Sequence, residues 1–163
     1  MSKHTTSRRR FVSAVTCSGF TLTAIGVAAG RGQVRNFRTH LSGNNEVPPV
    51  ETDAQGQATF QLNKAGDTLS YKLIVTNIED VVAAHVHCAP AGKNGPVGVT
   101  LFSGGPTSDS GILAEGTITA PDDGNGCGWS TLDDVILAMK RGDTYVNVHT
   151  VDNPPGEIRG QIH

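Results

Sequence analysis

The sequence predicts an all-β fold, an antiparallel β-sandwich with Greek-key connections and one short helix. Glycine contributes 20 of the 163 residues and charged residues only 17%, a composition that suits a turn-rich β protein better than a helical bundle. Short runs of alternating apolar and polar residues follow one another along the chain. Strands at this spacing, without helices between them, pack as an antiparallel sandwich or barrel.

The charge of the chain is unevenly distributed. Residues 1–30 hold four cations and no acid, whereas residues 31–163 hold nine cations against all 15 acids, a net charge of −6. Phosphate contact needs clustered lysine and arginine, and this acidic part has only scattered cations. The sequence therefore predicts no nucleic-acid partner.

The first thirty residues are typical of an export signal. Arg8, Arg9 and Phe11 resemble the twin-arginine motif, and a weakly apolar stretch follows as far as Ala29. Small residues at the end of this stretch predict cleavage after Ala29. Alternatively the stretch is kept as a membrane anchor, since its length can span a bilayer. Either way we expect one domain, residues 31–163, in the cell envelope or outside the cell, with no membrane span in this mature part of the chain.

Eight strands are predicted between segments rich in glycine, proline, asparagine and aspartate, which are the residues that turns favour. They cover residues 36–41, 55–62, 68–76, 82–88, 97–102, 111–119, 144–150 and 157–162. One helix is expected near residues 131–141, where Thr131 can cap the start and Gly142 can end it.

Histidines of two predicted strands lie on the face opposite the apolar side chains. In Ala84-His85-Val86-His87, alternation places both imidazoles opposite the apolar side chains, and His149 likewise lies opposite two valines. If the strands are neighbours, three imidazoles converge, and the His-x-His spacing of about 7 Å lets both rings reach one metal ion. Imidazole suits copper and zinc. His40, in the first strand, is a candidate fourth ligand. The alternative is that these histidines only bond to loops and organise them.

Two cysteines remain after the export signal, Cys88 and Cys127. An even number in an exported protein predicts a disulfide. The alternative is that Cys88 is a thiolate ligand beside His87.

Three segments of the sequence resemble the CHRD domain, which is named after the chordin family. They are Phe37–Val50, Ala84–Val97 and Tyr145–Ile162, and the resemblance covers about residues 36–163. It implies an extracellular module, found alone in exported bacterial and archaeal proteins and repeated in chordin, which binds growth factors. The motif residues to which we assign a structural role are Glu46, Asn94, Gly95, Pro96, Asn147, Glu157 and Arg159.

Glu157 and Arg159 stand two apart on one predicted strand and so share a face. We expect a structural ion pair between them or bonds to turn backbone. The alternative is a catalytic role. Glu46, from another strand, is expected to reach Arg159.

The histidine pattern is also similar to the copper ligands of Cu/Zn superoxide dismutase, a Greek-key sandwich. This similarity implies a superoxide-dismutase-like or immunoglobulin-like sandwich, with His85, His87 and His149 as copper ligands. The enzyme's bridging histidine and zinc ligands have no clear counterparts between Cys88 and Leu113.

Two functions follow from these observations. The first is a non-catalytic extracytoplasmic binding or structural module, with a protein, a glycan or an envelope component as partner. The second is a mononuclear copper protein for metal handling, or, if the chain is an enzyme, a copper-dependent oxidoreductase of superoxide dismutase type. The sequence lacks the Gly-x-Ser-x-Gly elbow of hydrolases and the glycine-rich nucleotide motifs.

Overall fold

The computed structural model describes residues 35–163. The predicted export signal, with Arg8, Arg9 and Phe11, lies outside these residues. The described part is all-β with one short helix, which confirms the predicted fold class. Its elements are β1 (Asn36–Ser42), a 3-10 turn (Gly43–Asn45), β2 (Gln55–Leu62), β3 (Leu69–Cys88), β4 (Val97–Ile118), α1 (Leu132–Arg141), β5 (Thr144–Thr150) and β6 (Ile158–Gln161).

The strands pair antiparallel in the order β2-β1-β6-β5-β3-β4. The first half of β3 also pairs with β2, and its second half pairs with β5. Five strands therefore form a closed, barrel-like circuit. It closes where β1 meets β6, and beyond β6 Arg38 and His163 exchange two backbone hydrogen bonds of 2.9 and 3.1 Å.

The long strand β3 replaces two of the predicted strands, 68–76 and 82–88. Asn77 and Asp80 adopt left-handed backbone conformations with φ of 53° and 49°. Together with shifts of register against β4, they bend the strand without reversing it, as β-bulges do. The predicted strands 97–102 and 111–119 are likewise joined in β4, because the intervening glycine-rich segment stays paired with β3.

The core lies between the inward faces of the strands, and α1 closes part of it. Leu132, Val135, Ile136 and Met139 of the helix are all buried. The Thr131 hydroxyl accepts a hydrogen bond from the Asp134 amide, and Gly142 ends the helix at φ 72°, which confirms the predicted helix. None of the helices among residues 35–163 is long and apolar enough to span a membrane.

A disulfide joins Cys88, the last residue of β3, to Cys127 in the loop before the helix, with their Cα atoms 5.8 Å apart. The predicted disulfide is confirmed. The alternative of a Cys88 thiolate ligand is wrong, because the sulfur is already bonded.

Candidate metal centre

Three histidines meet on the face of β3 and β5 that points away from the core. On the opposite face Ala84, Val86 and Val148 are fully buried. The strands pair with Ala83 opposite His149 and His85 opposite Asn147. This register brings together His85, His87 and His149, whose potential ligand atoms all lie within 4.8 Å of one another. The residues His87 and His149 are only 7% and 9% exposed.

Backbone carbonyls fix two of the rings. Nδ1 of His87 lies 2.9 Å from the carbonyl oxygen of Gly95, and Nδ1 of His149 lies 3.0 Å from that of Pro154. Because a carbonyl can only accept, each Nδ1 carries the proton and each Nε2 of the neutral ring carries a lone pair. Within residues 35–163 these two Nε2 atoms and Nδ1 of His85 are buried without hydrogen-bond partners.

The three imidazoles are held in their neutral form. Burial lowers the pKa of His85, His87 and His149, and it lowers that of His87 to about 4. The Gly95 carbonyl opposes the shift at His87, while the other two rings and Arg159 add to it. Neutral imidazole is the form that binds metal ions. The cluster therefore offers three nitrogen lone pairs at pH 7.

A carboxylate that sequence reasoning missed acts on one histidine of this cluster. Thr100 pairs with His85 across β3 and β4, and its hydroxyl donates to Oδ2 of Asp122 over 2.7 Å. The charge of Asp122 opposes the lowering of the His85 pKa. In the sequence Asp122 belongs to a polar, glycine-rich turn, which gives no signal of this contact.

His40 is not brought to the cluster. It is an exposed residue of β1 that pairs with Gln57 of β2, and β6 separates β1 from β5 in the sheet. The structure therefore does not support the prediction of a fourth ligand at His40.

Comparison with known proteins identifies the family of this fold. A family model described as CHRD domain matches residues 37–162, which include all three histidines and both bonded cysteines. The chain belongs to the CHRD domain family. Chordin of Xenopus laevis is 31% identical over 132 residues, a match that covers 76% of this chain but only 12% of that relative. No solved structure matches the chain.

The CHRD segment around Asn94 fastens a loop over the histidine face. The Asn94 side chain donates to the Val47 carbonyl and accepts from Nη1 of Arg159, both over 2.8 Å. Nη2 of Arg159 donates to the Lys93 carbonyl over 2.8 Å. A motif arginine on β6 thus fixes the loop that supplies the carbonyl partner of His87.

Gly95 and Pro96 complete this loop. A Cβ atom at Gly95 would collide with the backbone carbonyl of Cys88, so only glycine fits there without a shift. The Pro96 carbonyl accepts from the Cys88 amide over 3.1 Å. The loop therefore packs directly on the end of β3.

Glu157 fastens a second loop. Its two carboxylate oxygens accept from the hydroxyls of Thr52 and Thr150 over 2.8 and 2.7 Å. In the part of the chain that the structure describes, Glu157 and Arg159 form no ion pair, so that expectation is wrong. Arg159 bonds instead to the Lys93 carbonyl and to the Asn94 side chain, and only the first of these is a bond to turn backbone.

Asn147 lies between His85 and Arg159 in the pairing of the strands. Its amide nitrogen donates to the Pro155 carbonyl over 3.2 Å, and Gly156, at φ 137°, leaves room for this side chain. Asn147 thus supports the loop whose Pro154 carbonyl bonds to His149.

An aromatic stack that the sequence did not predict adjoins the centre. The Tyr145 ring lies parallel to the His87 imidazole, with centroids 4.9 Å apart and an interplanar angle of 8°. The guanidinium carbon of Arg159 lies 3.7 Å from the Tyr145 centroid. Because β3 and β6 flank β5, the ring stands between the histidine and the arginine.

Glu46 is a buried carboxylate near the same arginine. It is 6% exposed, and in the described residues its Oε1 atom has no hydrogen-bond partner. Burial raises the pKa of Glu46 to about 7, while the charge of Arg159 opposes this rise. The charge of Arg159 thus acts on Glu46, but in the described residues the two side chains form no ion pair.

Proposed function

We propose that this CHRD domain binds a single copper ion through His85, His87 and His149. The observation that carries the proposal is the convergence of three buried ring nitrogens that have no partner in the described chain. Buried polar atoms are rarely left unpaired in folded proteins. An ion would satisfy all three nitrogens at once. Copper, when bound, would supply one-electron redox chemistry to a metal-handling or dismutase-like role.

The surroundings of the histidines support this proposal. The carbonyls of Gly95 and Pro154 hold the outer nitrogens of two rings, which is the usual second contact of a metal-binding histidine. A set of neutral nitrogen donors without thiolate or carboxylate suits copper or zinc rather than calcium or magnesium. The copper assignment rests on the similarity to the dismutase ligand pattern.

A second candidate function is that of a non-catalytic binding or structural module with an unidentified protein, glycan or envelope partner. The family membership favours it, and so do the bonds from His87 and His149 to their loops, because a purely structural histidine would make them too.

Copper titration of the purified protein separates these candidates. We expect one copper per chain by elemental analysis after dialysis, a loss of that copper in H149A, and its retention in H40A, where the histidine is exposed and lies outside the cluster. A wild-type protein that retains no copper at micromolar concentration, or equal losses in H149A and H40A, would rule out the metal site.

We further propose export by the twin-arginine route, which places the domain in the cell envelope or outside the cell. The support is the Arg8-Arg9-Arg10-Phe11 sequence before a weakly apolar stretch. Fractionation should show R8K/R9K retained in the cytoplasm and K3R exported. Export of both variants would contradict this route.

A further inference from the structure

The stack of His87, Tyr145 and Arg159 joins a proposed ligand to a buried positive charge. Tyr145 and Arg159 are each 2% exposed, and the guanidinium lies against the Tyr145 face that is turned away from β3. The ring therefore acts as a fixed spacer between the cation and the imidazole.

The charge of Arg159 has no hydrogen-bonded acid beside it in the described chain. Its bonds go to two neutral acceptors, the Asn94 amide oxygen and the Lys93 carbonyl. The charge of Arg159 acts on the pKa of Glu46, but the two residues form no ion pair in the described chain. An arginine stays charged under all ordinary conditions, and a buried charge is screened less than a surface charge.

We propose that the Tyr145–Arg159 stack biases the copper centre toward the cuprous state, with both residues acting as positioning residues behind His87. This inference rests on the proposed copper binding. The redox step is the transfer of one electron from a small reductant such as ascorbate to bound Cu(II), which becomes Cu(I). No protein bond forms or breaks. A fixed cation close to the centre disfavours the ion of higher charge, by Coulomb's law.

The test measures the dissociation constants of Cu(II) and Cu(I) separately, by competition with chromophoric chelators. R159Q should reduce the preference for Cu(I) by about tenfold, which equals about 59 mV for one electron. R159K keeps the charge and should stay within about threefold of the wild type. R38Q removes an exposed cation of β1 and serves as the matched control, with a change below about twofold.

A second variant should change the preference for Cu(I) in the opposite direction, and it leaves the bonds of Arg159 in place. At pH 8 Glu46 is mostly ionised, since its pKa is about 7. E46Q should therefore increase the preference for Cu(I). This variant also keeps the inference testable if R159Q fails to fold.

The outcomes separate the two proposals. If the wild type binds copper but R159Q or E46Q leaves the ratio unchanged or moves it in the opposite direction, the inference is wrong and copper binding stands. If the wild type binds neither Cu(I) nor Cu(II), the proposed function itself fails.

Discussion

Nδ1 of His87 lies 2.9 Å from the carbonyl oxygen of Gly95, in the loop that follows the same strand. The Gly95 amide in turn donates to the Tyr145 hydroxyl over 3.2 Å. One residue without a side chain thus contacts both rings of the stacked pair. The position of the loop and the orientation of His87 therefore depend on each other.

G95A should displace this loop, because the added methyl group would collide with the Cys88 carbonyl. We expect a loss of at least about 2 kcal/mol in the free energy of unfolding and at least about tenfold weaker copper binding. Urea unfolding and copper titration measure these effects. G105A is the matched control, since a Cβ atom there meets nothing within 4 Å. Equal behaviour of the two variants would contradict the prediction.

E46Q should change how stability depends on pH. Burial raises the pKa of Glu46 from 4.5 to about 7, so the folded state holds this proton more tightly than the unfolded chain does. The stabilisation from this bound proton is complete below about pH 4.5 and is lost as the pH rises through about 7. The loss amounts to as much as about 3 kcal/mol in the free energy of unfolding. E46Q should not show this loss. Urea unfolding at several pH values measures it, with exposed Glu51 in E51Q as the control. A wild-type slope retained in E46Q would contradict the assignment.

In the metal-free protein, H87Q should change the pH dependence of stability in the opposite direction to E46Q. Burial lowers the pKa of His87 from 6.5 to about 4, so the folded state disfavours the protonated ring. Its contribution is present above about pH 6.5 and is lost as the pH falls toward 4, by up to about 3 kcal/mol. H87Q should be less stable at pH 7 but should lose less stability on acidification, whereas H40Q should follow the wild type. The prediction fails if H87Q and the wild type lose equal stability between pH 7 and pH 4.5.

Reduction of the Cys88–Cys127 disulfide should destabilise the domain. The cysteines are 39 residues apart, and chain entropy alone predicts a loss of about 4 kcal/mol in the free energy of unfolding. Urea unfolding with and without a thiol reductant measures the loss. C88S/C127S should be as unstable as the reduced wild type and indifferent to the reductant. A reductant that leaves the wild type unchanged would show that the bridge contributes little.

Strand alternation was enough to predict the centre in outline. It placed His85 and His87 on one face and His149 on the matching face of another strand, and the only further requirement was that β3 and β5 be neighbours. The disulfide followed from the number of cysteines. These features depend on local periodicity and simple chemistry, which a single sequence contains.

Other features depend on packing between distant segments. The sequence predicted two separate strands on either side of Asn77 and Asp80, whereas the structure accommodates the left-handed conformations of these residues within one bent strand. The contact of Tyr145 with Arg159 needs the register of β5 against β6, and the burial of Glu46 needs the loops to close over it. The periodicity of the sequence contains no information about this register or about this closure of the loops.

The pairing of Arg38 with His163 places the two ends of the described domain side by side. A domain whose two ends are neighbours can be inserted between other domains, or repeated in series, with little disturbance to the adjoining domains. It also means that the circuit of strands cannot close until β6 and the residues that follow it, up to His163, have been synthesised. This architecture thus suits tandem duplication, while it delays complete folding of the domain until its last strand has been synthesised.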